Sequence, residues 1–470
     1  MASRLLKFFK IAHEPPHVRD AGERICDFDE ISDEFIREKA AEQASRCSQC
    51  GIPFCQSHCP LGNHIPDWLQ LAAEGRVREA YEVSAATNPM PEVCGRVCPQ
   101  DRLCEGNCVV EKAGFGTVTI GAVERWLTDT AVKEGWIAPI APEIERGESV
   151  AIVGAGPAGM AAAERLRRAG FQVTVLDRYD RAGGLMIYGI PNFKLDKSIP
   201  ARRHEALREG GVRFALGWEL GRDGTIADLR RSHDAVILAF GAYAARRLDL
   251  PGEAGMEPVA ALDFLTASNR KGLGDAVPGF EAGELNAHAK KVVVVGGGDT
   301  AMDCVRTAVR QGAASVTCLY RRGRDTMPGS AREVKHAEAE GVTFQWLSAP
   351  ARIGEGHIEV QPMKLDMSAG GRGTVLPDEG PVWRLEADMV IEALGFSPED
   401  AAAMAGGARI ELTRRGTVKA DPKTFETGEP GVYAAGDLVR GPSLVVWALK
   451  DAITVSDAIV RRFANAREPA

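Results

Sequence analysis

"SVAIVGAGPAGMAAAERLRRAGFQVTVLDR", residues 149–178, decides the fold of this 470-residue chain. An apolar strand over 150–153 runs straight into Gly154-x-Gly156-x-x-Gly159. The first glycine permits a tight turn, the second lets backbone approach a pyrophosphate, and the third lets the following helix pack on the strand. Pro157 and Ala158 open that helix, whose N-terminus is aimed at the phosphates. The second strand, Gln172–Leu176, ends at Asp177, 23 residues after Gly154. A carboxylate there accepts hydrogen bonds from both ribose hydroxyls, which favours an adenosine without a 2′-phosphate. Strand, turn, helix and terminal acid in register predict a bound dinucleotide; the rival reading is a βαβ turn with no ligand.

The pattern recurs. "KVVVVGGGDTAMDCVRTAVRQGAASVTCLYRR", residues 291–322, again reads strand, glycine turn, helix, strand. Gly297, Gly298, Asp299 and Thr300 occupy the turn, and Ala301 is small enough for the third fingerprint position. This second strand ends in Arg321 and Arg322 instead of an acid. Guanidinium groups there suit a 2′-phosphate, so NADPH is expected over NADH, with Arg324 in support. The bland alternative is surface charge. Two such units predict an α/β chain with two Rossmann-like nucleotide-binding domains on parallel sheets.

Ahead of them, in an expected domain over 1–145, the stretch 47–108 holds eight of the eleven cysteines. The spacing is Cys47-x₂-Cys50-x₄-Cys55-x₃-Cys59-Pro, then Cys94-x₃-Cys98-x₅-Cys104-x₃-Cys108. "DEFIREKAAEQASR" (33–46) and "IPDWLQLAAEGRVREAYEVSAA" (65–86) carry apolar residues at helical spacing, so the cysteines are placed on loops of a helical domain. "APIAPEIERGES" (138–149) reads as the linker out of it. The length is enough for about three domains, and none needs cysteine staples to hold a core. No signal peptide or membrane-length apolar run is visible, so a cytoplasmic location with reduced thiols is expected. A net charge of −8 with scattered basic residues argues against a nucleic-acid surface. Zinc favours paired C-x₂-C knuckles, and only one occurs here. Cys59-Pro60 and Cys98-Pro99 match the endings of ferredoxin-type runs. Two four-iron clusters are therefore expected, and from composition alone Cys94 would be the eighth ligand. No C-x-x-C lies near Cys304, and Cys318 is alone, so both are read as core cysteines.

Further motifs carry resemblances. "RAGGLMIYGIP" (181–191), with Gly183, Gly184 and Leu185, resembles the glycine pair of flavin disulfide-reductase-like folds. "GVYAAGD" (431–437), with Gly436 and Asp437, resembles their late strand, where the aspartate meets the flavin's ribityl–phosphate region. "PSLVVWALKDA" (442–452), with Ser443 and Leu444, resembles the helix that points at the isoalloxazine ring. "VILAFGA" (236–242) and "VIEALGF" (390–396) are similar to the strands at the crossings between FAD and NADP domains. The implied layout is 1–145 for two iron–sulfur clusters, 146–250 and 396–470 for FAD, and 251–395 for an inserted NADPH domain, in a fold of the flavin disulfide-reductase/adrenodoxin-reductase type.

From "CDFDEI" to the final helix the chain resembles the small (beta) subunit family of NADPH-dependent glutamate synthase. The module recurs in dihydropyrimidine dehydrogenase and in bifurcating NADP–ferredoxin oxidoreductases. "KFFKIAHEPPHVRDAGERICDFDE" (7–30) leans toward the first. The resemblance implies an electron-input subunit: NADPH reduces FAD, and electrons leave one at a time through the clusters to a large subunit carrying FMN and a further iron–sulfur cluster, where glutamine and 2-oxoglutarate become glutamate. It also implies the ligand sets. Cys47, Cys50, Cys55 and Cys108 would hold one cluster; Cys59, Cys98, Cys104 and Glu124, in "TIGAVER", would hold the other, with Cys94 excluded. Neither nucleic acid nor membrane is an expected partner. The rival from another class is a structural zinc scaffold. Metal analysis of anaerobically prepared protein separates the two: iron with acid-labile sulfide is expected, and zinc without either would contradict it.

Overall fold

The computed structural model describes residues 6–137, 139–250, 255–368 and 373–465. Expected boundary residue 251 and Ala138 of the expected linker lie outside them. A helical domain precedes two Rossmann-like domains. Helices Arg37–Ala44, Ile65–Ala73, Val77–Thr87, Pro91–Val97 and Ile120–Lys133 bring together Trp68, Leu69, Ala72, Ala80, Val123 and Leu127 as a buried core. The periodic stretch 65–86 is two helices, because Gly75 ends the first. Its φ of +79° lets Gly75 N donate to Ala72 O and Arg76 N to Leu71 O, the paired bonds that close a helix C-terminus. The linker is anchored rather than loose. Ile140 is buried in the core of the next domain, and a Cβ on Gly210 would lie 1.9 Å from its carbonyl oxygen.

The chain then lays down β1 (Ser149–Val153), β2 (Gln172–Asp177), β3 (Arg213–Leu216) and β4 (Ala235–Leu238). It crosses at β5 (Ala244–Ala245) into β6 (Val259–Ala260), β7 (Lys291–Val295), β8 (Ser315–Tyr320) and β9 (Thr343–Trp346). An antiparallel insert follows: β10 (Ser348–Gly354), β11 (His357–Asp366), β12 (Thr374–Pro377) and β13 (Trp383–Glu386). β14 (Met389–Glu392) completes the second domain, β15 (Phe396–Ser397) crosses back, and β16 (Val432–Ala434) returns to the first sheet. The two parallel five-stranded sheets have orders β16-β4-β1-β2-β3 and β6-β14-β7-β8-β9. The same strand positions carry the glycine turns in both, as an internal repeat requires. The crossings pair with each other, Phe396 with Ala245 and Ser397 with Ala244. Buried Glu392 pins them by accepting from Leu248 N (2.7 Å) and Arg247 Nη1 (2.9 Å).

One buried carboxylate ties the three parts together. Glu340 accepts from Arg24 of the N-terminal segment (2.8 Å) and from Arg306 (2.8 Å) and Arg310 (2.7 Å) of helix Asp299–Arg310. Phe193 of the first sheet's domain lies beneath Arg306 and Arg310, with its ring centroid 4.6 and 3.9 Å from their guanidinium carbons. Burial pushes the Glu340 carboxyl up, but the hydrogen bonds and charges of Arg310 and Arg306 prevail and hold it at about 2. Its folded value thus lies below the ordinary 4.5. Its contribution to stability is complete above that ordinary value and is lost as pH falls through about 2. Glu340→Gln leaves guanidinium charge buried without its counter-charge, so a loss of about 3–5 kcal/mol in denaturant unfolding at neutral pH is expected; a loss within about 0.5 kcal/mol, the scale of ordinary surface substitutions, would contradict the tie.

Candidate functional site

The two glycine turns are built alike. Gly154 has φ +112°, and a Cβ on it would lie 2.4 Å from Ala239 O; Gly296 has φ +150°, with Ala393 O at 2.3 Å. Gly154 N donates to Leu176 O and Gly296 N to Leu319 O, which locks each turn to the second strand of its unit. A Cβ on Gly159 would lie 1.8 Å from Gly154 O, so that position needs glycine; its counterpart Ala301 is fully buried. Gly156 and Gly298 differ from the rest. Each stands at the N-cap of a twelve-residue helix, and a Cβ on either would meet nothing within 4 Å. Each helix N-terminus therefore opens onto vacant space, where its backbone N–H groups and dipole favour phosphate.

Around Gly156 a cleft is lined by Pro157, Ala158, Asp177, Leu185, Gly436, Asp437, Ser443 and Leu444. Gly183 N donates to Ala155 O (2.8 Å), and a Cβ on Gly184 would come within 2.8 Å of Gly156 Cα, so this glycine pair runs directly against the turn. Asp177 accepts from Ala155 N (2.6 Å) on one oxygen and Tyr179 N (2.8 Å) on the other. Each oxygen keeps a lone pair for a ribose hydroxyl. Asp437 accepts from both Ser443 N (3.1 Å) and Ser443 Oγ (2.7 Å), and its burial pushes it up to about 6. Helix Val445–Asn465 starts beside it. The sequence reading missed Arg178, Tyr243 and Glu399. Arg178 pairs with Glu399 (2.9 Å) and lies over the Tyr243 ring (4.5 Å), closing the cleft beyond Asp177. Nothing in their spacing brings these three residues together.

At the second turn Asp299 accepts from Ser330 N (2.9 Å) and pairs with Arg102 (3.3 Å), a residue of the loop between Cys98 and Cys104. Gly297 packs under the Tyr320 ring, and Thr300 sits half-buried in the first helical turn. Arg321 is exposed just past β8, while Arg322 Nη1 donates to Gly373 O (3.0 Å).

The cysteines fall into two groups. Cys47, Cys50, Cys55 and Cys108 are neighbours; burial first, with charge from the neighbouring thiols adding to it, pushes Cys47 up to about 11 and Cys55 up to about 12. Cys59, Cys98, Cys104 and Glu124 line a second pocket with Cys94, Asn63, Asn88 and Val446. Cys104 also feels Cys55, so the groups are neighbours. Burial drives the Glu124 carboxyl up to about 7 despite hydrogen bonds from Asn88, Ser84 and Asn63. Cys94 lines the same pocket beside Cys98, and its thiol donates to Asn88 Oδ1 (3.6 Å). Four thiols in one group, and the thiols and carboxylate that line the second pocket, are donor sets that fit iron–sulfur clusters once deprotonated. Among the described residues no group of three or more His, Cys, Asp and Glu side chains could hold a single metal ion, and no helix is long and apolar enough to cross a membrane.

Comparison with known proteins follows this division. Residues 24–136 match the family of dihydropyrimidine dehydrogenase domain II, 4Fe-4S cluster, and residues 148–452 match the pyridine nucleotide-disulphide oxidoreductase family. The chain is 54% identical over 461 residues to the glutamate synthase [NADPH] small chain of Azospirillum brasilense, covering 97% of this chain and 96% of that one. It is 42% identical over 470 residues to the Escherichia coli small chain, covering 98% and 99%. Among solved structures, Mycobacterium tuberculosis FprA in complex with NADPH matches with a TM-score of 0.57 at 22% identity, over 68% of this chain and 86% of FprA, which bears on the fold alone.

Gly156→Ala tests the first turn without disturbing it, since φ is −75° and no atom lies near the added methyl. The methyl fills ligand space, so dinucleotide affinity is expected to fall about ten- to a hundredfold, the scale of one misplaced methylene, with an unchanged melting temperature. Full retention of cofactor would contradict the placement.

Proposed function

Since this chain belongs to the family of glutamate synthase [NADPH] small chains, we propose that it is the electron-input subunit of such an enzyme, taking electrons from NADPH and delivering them to a large subunit that carries FMN and a further iron–sulfur cluster. The chain is an oxidoreductase with an iron–sulfur domain and a pyridine-nucleotide reductase domain. In this reading FAD occupies the cleft at Gly154–Gly159, NADPH the turn at Gly296–Ala301, and two four-iron clusters the two cysteine groups.

When bound, the flavin exchanges electrons in pairs or singly and the clusters singly, which is the redox chemistry the side chains themselves lack. The chain's own residues bind and orient. Asp177 would take the ribose hydroxyls of FAD, and the N-terminus of Pro157–Arg168 its pyrophosphate. Gly183 and Gly184 pack against that turn, and Leu185 lines the cleft beside it. The N-terminus of helix Val445–Asn465 faces the cleft and favours negative charge there. The N-terminus of Asp299–Arg310 would take the phosphates of NADPH, and Arg321 and Arg322 its 2′-phosphate. Cys47, Cys50, Cys55 and Cys108 would hold one cluster; Cys59, Cys98, Cys104 and Glu124 the other. No side chain is assigned as acid or base, because positioning the two ring systems is the main requirement.

One observation carries this reading: Val446 lines the pocket of Cys59, Cys98, Cys104 and Glu124, while its neighbours Leu444 and Val445 line the dinucleotide cleft. In this reading a single helical turn separates the paired-electron site from a one-electron site. The name of the N-terminal family supports one second reading, a small subunit of a dihydropyrimidine dehydrogenase. Acceptors decide between them. The chain alone should reduce artificial dyes with NADPH and form no glutamate. With a glutamate synthase large subunit, glutamine and 2-oxoglutarate it should form glutamate at the expense of NADPH. Failure of the combined subunits to do so, with NADPH-dependent reduction of a pyrimidine by a dihydropyrimidine dehydrogenase partner, would overturn the proposal.

A further inference from the structure

Glu124 is held in an unusual way for a buried carboxylate. Among the described residues no lysine or arginine pairs with it. Three neutral donors do, and all three choose the same oxygen: Asn63 Nδ2 (3.0 Å), Ser84 Oγ (3.2 Å) and Asn88 Nδ2 (3.0 Å) bond to Oε1. Among the described residues Oε2 accepts no hydrogen bond, and Glu124 lines the pocket of Cys59, Cys98 and Cys104.

The donors are themselves fixed. Asn63 Oδ1 accepts from Trp68 Nε1 (3.0 Å), which is a donor only, so the Asn63 amide must turn its NH₂ to Glu124. Asn88 Oδ1 accepts from Met90 N (3.1 Å) and the Cys94 thiol (3.6 Å), which orients its amide in the same sense. Ser84, Asn63 and Asn88 are all 2% exposed or less, so water does not compete. The three donors come from the turn after Cys59, from helix Val77–Thr87 and from the residue that follows that helix, while Glu124 sits on Ile120–Lys133.

We infer that Asn63, Ser84 and Asn88 form a cradle that occupies one oxygen of Glu124 and so presents the other to the pocket as a single-oxygen iron ligand. This rests on the reading of Cys59, Cys98, Cys104 and Glu124 as the ligands of one cluster. The three residues are positioning residues, with Trp68 and Cys94 behind them. Two consequences follow from the chemistry. The carboxylate is kept from chelating through both oxygens. The neutral donors withdraw electron density from it without cancelling its charge, so the cradle tunes the cluster's potential. Cys94, whose thiol is engaged with Asn88, acts on the cluster through that amide and not as a ligand.

The test is a double-mutant cycle on the purified full-length chain, read by iron and sulfide content, low-temperature EPR and redox titration. Ser84→Ala and Asn63→Ala are each made in the wild-type chain and in Glu124→Cys, whose thiolate needs no cradle. In the wild-type background each is expected to shift the midpoint potential and EPR line shape of one cluster, with the other cluster's signal and the iron content unchanged. In the Glu124→Cys background the same substitutions are expected to shift nothing. Equal shifts in both backgrounds, or none in the wild-type background, would overturn the cradle while leaving Glu124 as ligand. If Glu124→Cys itself leaves both clusters' spectra unaltered, the ligand assignment fails and the cradle with it.

Discussion

The structure depends on one packing constraint: the helical domain and the dinucleotide cleft share a hydrophobic core. Leu61, Met90, Val93, Cys94 and Cys98 lie in the same buried cluster as Ala155, Ala158, Val446 and Leu449. Close-packed interiors resist small displacements, so the second cysteine group cannot drift from the cleft without opening that core. The separation between that cysteine group and the cleft is thereby set by side-chain volume at the start of helix Val445–Asn465.

Buried charge is handled in two opposite ways, and the difference marks function. Glu340 and Glu124 are both buried carboxylates, 5% and 7% exposed. Glu340 faces three guanidinium groups and is held at about 2; Glu124 has only neutral donors and is pushed up to about 7. Burial penalises the charged form in both, and only opposite charge overcomes it. Under the proposed ligand set, Glu124 would meet its opposite charge only in the iron bound beside it. Glu340 has its cations built in, and its work is to hold Arg24, Arg306 and Arg310 in one place.

Much of the fold was legible because backbone constraints leave a mark in sequence. Gly154 and Gly296 are required by the carbonyls of Ala239 and Ala393, and a glycine turn after an apolar strand announces that requirement. The Cys-Pro endings did the same for the metal domain. Other features left no such mark. Gly75 cut a periodic stretch in two, because helical spacing persists across a C-terminal turn that only backbone geometry reveals. Ile140 made an apparent linker part of a core. Asn63, Ser84 and Asn88 belong to no spacing rule; they converge on Glu124 only through the packing of separate helices. The same holds for Arg178, Tyr243 and Glu399 at the outer end of the cleft.

The proposed function requires one polypeptide to couple a paired-electron donor to single-electron carriers across the turn at Val446. Stepwise anaerobic titration of the holoprotein, in complex with its large subunit, with NADPH, followed by visible absorption and low-temperature EPR, tests it most directly. Flavin absorption is expected to bleach and spectra of reduced clusters to grow in as NADPH is added. Complete bleaching of the flavin with every cluster of this chain still oxidised would contradict it.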